Sequence, residues 1–580
     1  MKKILPVLAV GALALSMTAC GGGGTTPPAT DTTTSAGTTT TTSATPGTCP
    51  AAAADAAWNV CEMPYNQVKQ GGEFTGSYSY QITTFNMNDY NGNENSAILA
   101  LSPVMPVFWS YDGAGNSTVN PDYVSDVTDN VVNGQLVIDL KMNPKATWND
   151  GTQITADDWI ATINSMSGAD DAYHAASNDG YDQIVSTVQG ADASEVIFTF
   201  KSTYPDWIGV FAYGPMRKES CDTPDHFNAW DTLPLAYQSG PYKIDSYDAT
   251  TGDIVEVPNP SWWGQAPKLD KLTWKLISDQ TAEVQAFANQ EIDYLDLGLN
   301  ADGYQQAIST PNSEVRQANG PNFRQFTFNS KAGFLTDLAV RQAIVEGLDR
   351  QKIAESDMAG LPGTPEPLQN NIFMPVQDGF EDLGAKTGID YNPDKAKQTL
   401  EADGWVMNSS TGFYEKGGKQ LDVKFAQLSG VLAAANEFQQ AQADLKVIGI
   451  NLVNQPVDTQ TEWPKILSDE NFEIIAFSWM GTPYPLMNVS QIYGTGSGSN
   501  YAQLTIPVVD QTADSLASEM DPAARTAIGQ QNAQAIWEAV HTLPLYQRPE
   551  LIAVRSTLAN IGAFGMSRQP ADWTTVGYVA

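Results

Sequence analysis

Histidine, cysteine and cationic side chains are scarce in this chain, and each scarcity closes off a class of chemistry. Among 580 residues the histidines are His174, His226 and His541, far apart and in no HExxH pattern. They offer neither a metal centre nor a histidine-based catalytic pair. The cysteines are Cys20, Cys49, Cys61 and Cys221, with no CxxC spacing. Cys221 has His226 as its one neighbouring base in sequence, so it reads as a lone thiol and not a nucleophile. No GxSxG, no GxxxxGK(S/T) and no strand-following GxGxxG occurs, which leaves no nucleophile elbow, P-loop or dinucleotide fingerprint. The run Gly494 to Asn500, GTGSGSN, looks like a phosphate loop but lacks the lysine, and reads as a flexible loop. The expectation is a protein that is not an enzyme, with no catalytic residue, no metal and no cofactor; a secreted hydrolase is the weakest of the readings. Lys and Arg number 30 against 66 Asp and Glu, a net charge of −36. That field repels nucleic acid and anionic membrane surfaces and favours solubility and the approach of cationic ligands, so no nucleic-acid partner is expected.

Length points the other way, toward a large body. At roughly 150 residues per domain, the chain holds three or four structural units and buries a core without help from metals. No period of 20 to 50 residues recurs, which excludes a solenoid. The N-terminus carries Met1-Lys2-Lys3, an apolar run from Ile4 to Met17, and then Thr18-Ala19-Cys20. The run is too short for a good transmembrane span and has signal-peptide length. Small residues directly before a cysteine resemble a bacterial lipobox, which implies cleavage before Cys20 and its modification with diacylglycerol. Each buried CH₂ of such chains contributes about 0.8 kcal/mol, so two or three chains hold a domain on a membrane. Residues 21–48 are Gly, Thr, Ser and Pro with few apolar side chains, and as a disordered coil they would span on the order of 30 Å. In an oxidising compartment Cys49 and Cys61, bracketing a short Ala-rich loop, are candidates for a disulfide.

Along the chain, strand and helix signals alternate, which argues an α/β or α+β architecture. Glu73 to Tyr80, Gln135 to Lys141 and Glu195 to Lys201 have strand character. Thr155-Ala156-Asp157-Asp158 reads as a capping box for a helix carrying Trp159, Ile160, Ile163 and Met166. Thr336 is expected to cap a helix with Arg341 and Arg350 on its polar side. Asn392-Pro393 opens another that Gly404 stops. Val431 to Ile448 and Gln530 to Val540 are further helices. The stretch from Asn471 is the focus. Phe472, Ile474, Ile475, Ala476 and Phe477 make a buried strand that breaks into Ser478, Trp479, Met480, Gly481, Thr482, Pro483, Tyr484 and Pro485. Rigid aromatics and exposed backbone at a sheet edge are how a pocket is commonly lined; an ordinary core strand followed by a Pro-rich turn is the plainer reading.

Several stretches fit one family in order. Ala146 to Trp159, ATWNDGTQITADDW, resembles the signature F/W-S-D-G-x-P-x-T-A-x-D of the extracellular solute-binding proteins of the oligopeptide and dipeptide class, which serve bacterial ABC importers. Gly240-Pro241-Tyr242-Lys243-Ile244 is similar to G-P-Y-x-(L/I/V), and Asn259 to Gly264, NPSWWG, to N-P-x-(Y/F)-W. Leu335 to Ile344 with Leu348-Asp349-Arg350 resembles D-x-x-V-R-Q-A with its D-R, and Asp394 to Leu400 with Gly404-Trp405 resembles the A-K-x-L-L helix. Five motifs in register cover roughly residues 71 to 560. The resemblance implies an α/β, two-lobe periplasmic-binding-protein-like fold of the large class, closing like a flytrap. It implies residues 71–85, 190–320 and 535–580 in the first lobe, 86–189 as a subdomain on it, and 321–534 as the second lobe. Hinge strands would include Phe323 to Asn329 and Leu543 to Gln547. Partners implied are a peptide or other small-molecule ligand, ABC permease subunits and a membrane reached through the lipid anchor, with the protein a monomer on the outer face of the cytoplasmic membrane.

The ligand is less determined. In the peptide-binding members the corresponding loop reads like G-W-x-x-D-x-x-(D/E)-P, and its aspartate pairs with the peptide α-amino group. Here that position falls on Thr482, and no carboxylate lies between Glu473 and Asp510. A buried ammonium without a counter-charge would cost several kcal/mol. Either Asp89, Glu94 or Asp112 supplies the acid, or the ligand lacks a free amine. Candidate cleft residues are Phe85, Asn86, Phe108, Trp109 and Tyr111 from the first lobe. The second lobe adds Ser478, Trp479, Met480, Gly481, Thr482, Tyr484, Asn500 and Tyr501. Such aromatic and amide-rich walls suit extended peptides or saccharides, with peptide preferred. A transport-independent envelope regulator on the same fold is a further alternative, which neighbouring permease genes would argue against.

Overall fold

The computed structural model describes residues 49, 57–211, 214–458, 462–467, 469–567 and 572–580. Cys20, the signal segment and the 21–48 tether lie outside the described residues. Cys49 and Cys61 are joined by a disulfide, their Cα atoms 5.4 Å apart, and Cys221 is a buried free thiol.

The body opens with β1 (Glu73–Tyr78). After it comes an antiparallel sheet of β2 (Val124–Val132), β3 (Gln135–Met142), β4 (Ile184–Gln189) and β5 (Glu195–Phe200), in the order β2-β3-β5-β4. Alternation does the work here, because every second residue of β3 (Leu136, Ile138, Leu140, Met142) is fully covered. Helix α1 (Ala156–Met166) closes that face with Trp159, Ile163 and Met166. Its start is the expected capping box, with Asp158 accepting from the Thr155 N–H at 2.8 Å. Gly151 turns the chain just before it at φ +88°, a conformation that a Cβ disfavours. A boundary at 189 would fall between β4 and β5, which are hydrogen-bonded neighbours. This layer therefore runs on past Phe200 to α2 (Trp207–Val210), whose Trp207 and Val210 join the same core.

Three strands return to β1: β6 (Tyr242–Tyr247), β7 (Ile254–Pro258) and β8 (Lys271–Leu276), in the order β1-β8-β7-β6. A third sheet then links the molecule. It holds β9 (Tyr294–Asp296), β10 (Ser313–Phe328), β11 (Asp422–Leu428), β12 (Asn451–Val457), β13 (Ile474–Trp479) and β14 (Thr542–Arg555), in the order β9-β14-β10-β13-β11-β12. β10 and β14 pair antiparallel from Ser313 opposite Arg555 to Thr327 opposite Thr542, with register shifts around Asn319 to Gln325. One end of this ribbon, with Ala318, Ile552 and Val554, packs beside Phe74 and Trp274. The other end, with Phe326, Phe328, Leu543 and Leu545, packs with the helices that follow. Two lobes are thus joined through two long continuous strands.

The second half of the chain holds α3 (Leu338–Gly347), α4 (Arg350–Asp357), α5 (Pro393–Ala402), α6 (Leu432–Val447) and α7 (Pro522–Glu538). α5 starts on Asn392 and Pro393 as expected, and α6 stops before Gly449 at φ +78°. Three details differ from expectation. Asp337, not Thr336, caps α3 by accepting from the Ala339 N–H at 3.0 Å. α7 begins eight residues before Gln530, at Pro522, capped by Asp521. Arg341 and Arg350 are buried instead of lying on a polar face. Arg341 donates to the carbonyls of Leu335 and Ala539 at 2.7 and 2.9 Å, and Arg350 to those of Leu368 and Pro544 at 2.8 and 2.9 Å. A guanidinium has five fixed donors, so it can tie several unpaired carbonyls together inside a core.

Candidate ligand-binding pocket

β13 lies between β10 and β11, and Trp479 at its end stands opposite Phe323 of β10. The chain then leaves the sheet through Met480 and Gly481. A Cβ at Gly481 would stand 2.0 Å from the Pro321 carbonyl oxygen, so only glycine lets the two backbones approach this closely. The Trp479 ring is stacked on Tyr501 (centroids 6.0 Å apart, 10° between planes) and meets Phe477 edge-on at 5.2 Å. Beside it opens a cavity of about 40 Å³, room for roughly three waters. Phe323, Asn371, Met374, Trp479, Thr482 and Tyr493 are among its walls.

The electrostatics of this cavity are unusual for so acidic a protein. Among the described residues, none of its lining side chains is Asp, Glu, Lys, Arg or His. Tyr493 is the one titratable member; burial pushes its hydroxyl above the usual tyrosine range, and it donates to the Asn371 carbonyl at 2.9 Å. The Thr482 hydroxyl is engaged in its own turn, 3.2 Å from both the N–H and the C=O of Tyr484. The Asn371 amide nitrogen donates to the Thr542 hydroxyl at 2.9 Å and its carbonyl at 3.3 Å. Asn371 Oδ1 and Trp479 Nε1 are buried and have no hydrogen-bond partner among the described residues.

A charged cluster lies behind this wall. Phe323 and Arg324 are consecutive on β10 and so point to opposite faces. The Arg324 guanidinium forms a two-pronged pair with Glu437 of α6, one contact at 2.6 Å. Tyr546 donates to Asp357 of α4 at 3.0 Å. Burial, with the Glu437 charge adding to it, pushes the Asp357 carboxyl up to about 8.

The residues expected at the site fall into three groups. Trp479, Met480, Gly481 and Thr482 line the cavity, while Ser478 sits one residue back on β13 opposite Arg324. Tyr501 stacks on Trp479; Tyr484 is buried near Tyr111 and Ser117, and burial with the nearby Tyr111 raises its hydroxyl pKa while Ser117 opposes the rise. The remainder lie in cores or staples. Phe85 packs edge-on to Tyr247, and Asn86 ties its loop to the Phe227 carbonyl at 2.9 Å. Phe108 and Trp109 belong to the aromatic core under α1 and α2. The Asn500 amide holds the carbonyls of Gly494 and Leu504 and faces His541. None of the three candidate acids lines the cavity. Asp89 is buried near His174, Glu94 accepts from the Ala97 N–H at 3.0 Å, and Asp112 accepts from Ala114 and Asn116 within its own turn. Sequence reasoning missed Asn371, Met374 and Tyr493; no motif marks them, because Asn371 and Met374 come from an irregular connection and Tyr493 from the end of a five-residue helix.

Segments distant in sequence meet around the cavity. Met566 packs with Phe323, Leu368 and Met374, and Gly115 comes so near Pro483 that a Cβ there would stand 2.6 Å from its ring. Farther out, Arg525 of α7 forms a two-pronged pair with Asp206, the residue before α2, one contact at 2.8 Å.

This architecture has known counterparts. The model for bacterial extracellular solute-binding proteins, family 5 (middle), matches residues 118–501. The oligopeptide-binding protein OppA of Mycobacterium tuberculosis (strain H37Rv) is 32% identical over 532 residues, 91% of this chain and 88% of that protein. In three dimensions the chain resembles the periplasmic EDTA-binding protein EppA (TM-score 0.82, 22% identity, covering 90% of this chain and 98% of EppA). It also resembles the oligopeptide-binding protein AppA of Bacillus subtilis in complex with a nonapeptide (TM-score 0.69, 19% identity, 88% and 100% covered). The chain, two lobes on a long strand ribbon with a pocket at the end of β13, therefore belongs to the bacterial extracellular solute-binding proteins of family 5, which bind solutes for ABC transport and are not enzymes.

Proposed function

We propose that this protein is the lipid-anchored extracellular receptor of an ABC importer, capturing oligopeptides between its lobes and passing them to the permease. The observation that carries the reading is the cavity bounded by Trp479, Gly481 and Phe323 where the lobes meet, in a chain 32% identical to a protein named for oligopeptide binding. Lobe movement about β10 and β14 would exchange an open cleft for a closed one, and ligand contacts present only when closed would shift that population. Cys20 would carry the lipid and residues 21–48 would hold the body, a monomer, clear of the bilayer. The test is a thermal-shift screen of tri- to pentapeptides against oligosaccharides. Stabilisation by peptides is expected; stabilisation by sugars alone would overturn the peptide reading. Separately, Cys20→Ser should release the protein into the medium, and continued membrane retention would refute the anchor.

A further inference from the structure

We infer that the ion pair between Arg525 and Asp206, with the hydrogen bond from Thr203 beside it, is a clasp: it favours the closed arrangement of the lobes through protein contacts alone and slows ligand release. The inference rests on the lobe movement proposed above. The two halves of the clasp belong to different cores. Asp206 immediately precedes α2, whose Trp207 and Val210 pack into the core under α1. Arg525 lies on α7, whose Ala533, Ile536 and Trp537 pack with Phe326, Phe328 and Leu543. Neither residue belongs to β10 or β14, so the pair ties the two bodies at a second place, outside the ribbon. Thr203 adds a bond from its hydroxyl to the carbonyl of Ser518, at the end of the helix Pro507–Ser518, whose Val509 and Leu516 lie in the same core as α7.

The chemistry suits a contact that is made and unmade. The Arg525 Nε–H donates to the Leu516 carbonyl at 2.9 Å, which fixes the guanidinium plane from its own side. The other two nitrogens meet the two oxygens of Asp206, the Nη1 contact at 2.8 Å. Both side chains are nearly covered, 12% exposed for Arg525 and 4% for Asp206. A covered pair of this kind adds little net stability compared with apolar packing, because each charge gives up its hydration. Separating the two bodies returns water to both charges, and closing them offsets that loss with a two-pronged, charge-assisted contact. Truncating one partner acts differently, since the closed arrangement alone then holds an uncompensated charge. The substitution penalises one state of the equilibrium and shifts the population toward the other.

The test is small-angle X-ray scattering of the full chain without ligand. Asp206→Ala and Arg525→Ala should each raise the radius of gyration above the wild type's, by the same amount, and the double variant should expand no further than either. Arg525→Lys keeps the charge but loses the fork, and should fall between. Release of a tri- to pentapeptide pool, followed by mass spectrometry after dilution, should be about tenfold faster from Asp206→Ala than from the wild type, as when one partner of a buried charge pair is removed from an interface. Equal radii for the wild type and the alanine variants, or an unchanged release rate, would overturn the clasp and leave the peptide reading intact. Additive expansion in the double variant would show two independent structural effects and would overturn it as well. Failure of peptides to stabilise the chain in the thermal-shift screen would instead overturn the peptide reading, with scattering still deciding the clasp. If an alanine variant does not fold, as judged by circular dichroism, Arg525→Lys decides by the same comparison.

Discussion

Two aromatic clusters in this protein look alike in composition and differ in use. Under α1 and α2, Trp159 is enclosed by Phe108, Phe198 and Phe211, with ring centroids 5.2 to 5.5 Å away. At the end of β13, Trp479 is flanked by Phe477 and Tyr501 at 5.2 and 6.0 Å. Both indole N–H groups are buried without a partner among the described residues. The difference is what lies alongside. Trp159 is sealed in a filled core, whereas Trp479 borders a cavity and a backbone crossing that tolerates only Gly481. Both N–H groups are fixed costs of burial; what separates the two rings is that part of the Trp479 side chain lines open space and Trp159 has none beside it.

Substitutions can break that contrast. The largest effect should come from Trp159→Ala, which empties a core and should cost about 3–5 kcal/mol in urea denaturation. Trp479→Ala should cost less, about 1–2 kcal/mol, because one side of the ring already faces a void. It should nonetheless weaken ligand binding by tenfold or more in calorimetry. Equal stability losses would erase the distinction between the two clusters. Gly481→Ala should sharpen it: the new methyl meets Pro321, the loop shifts, and binding falls while the melting temperature moves by only a few degrees.

The smallest effect concerns the charges behind the pocket wall. Asp357 has a raised carboxyl pKa in the folded chain, about 8, against about 3.9 unfolded. The folded state therefore holds a proton that the unfolded state has released. Its stabilisation is complete below about pH 4 and is lost as pH rises toward 8. Asp357→Asn mimics the protonated form, so its unfolding free energy, measured by urea denaturation, should fall less between pH 5 and 8 than the wild type's. Parallel pH profiles would show that Asp357 is ionised in the native protein.

Local signals were readable wherever a side chain acts on its own backbone. Thr155 with Asp158, Asn392 with Pro393, and Gly449 each mark a helix end, since capping and positive φ are decided within a few residues. The strand from Ile474 was readable from its apolar run, and its end at Trp479 from the glycine and prolines that follow. Arg341 and Arg350 were not, because a polar position on a helix stays polar only if nothing packs over it. Here carbonyls from 335, 368, 539 and 544 converge on them. Phe108 and Trp109 show the converse, aromatics whose neighbours fill all the space around them.

By itself the sequence determined the family, the alternation of strands and helices, the Trp479 loop and the missing acid at Thr482. Those depend on residue identity and short-range order. Only the tertiary structure decided that Asn371 and Trp479 line one cavity whose described walls carry no charged side chain, and that Met566 packs against Phe323, Leu368 and Met374 beside it. The reason is distance along the chain. Asn371 and Trp479 are brought together by the pairing of β10 with β13 and β14, and such long-range register is set by the whole core and not by any local pattern.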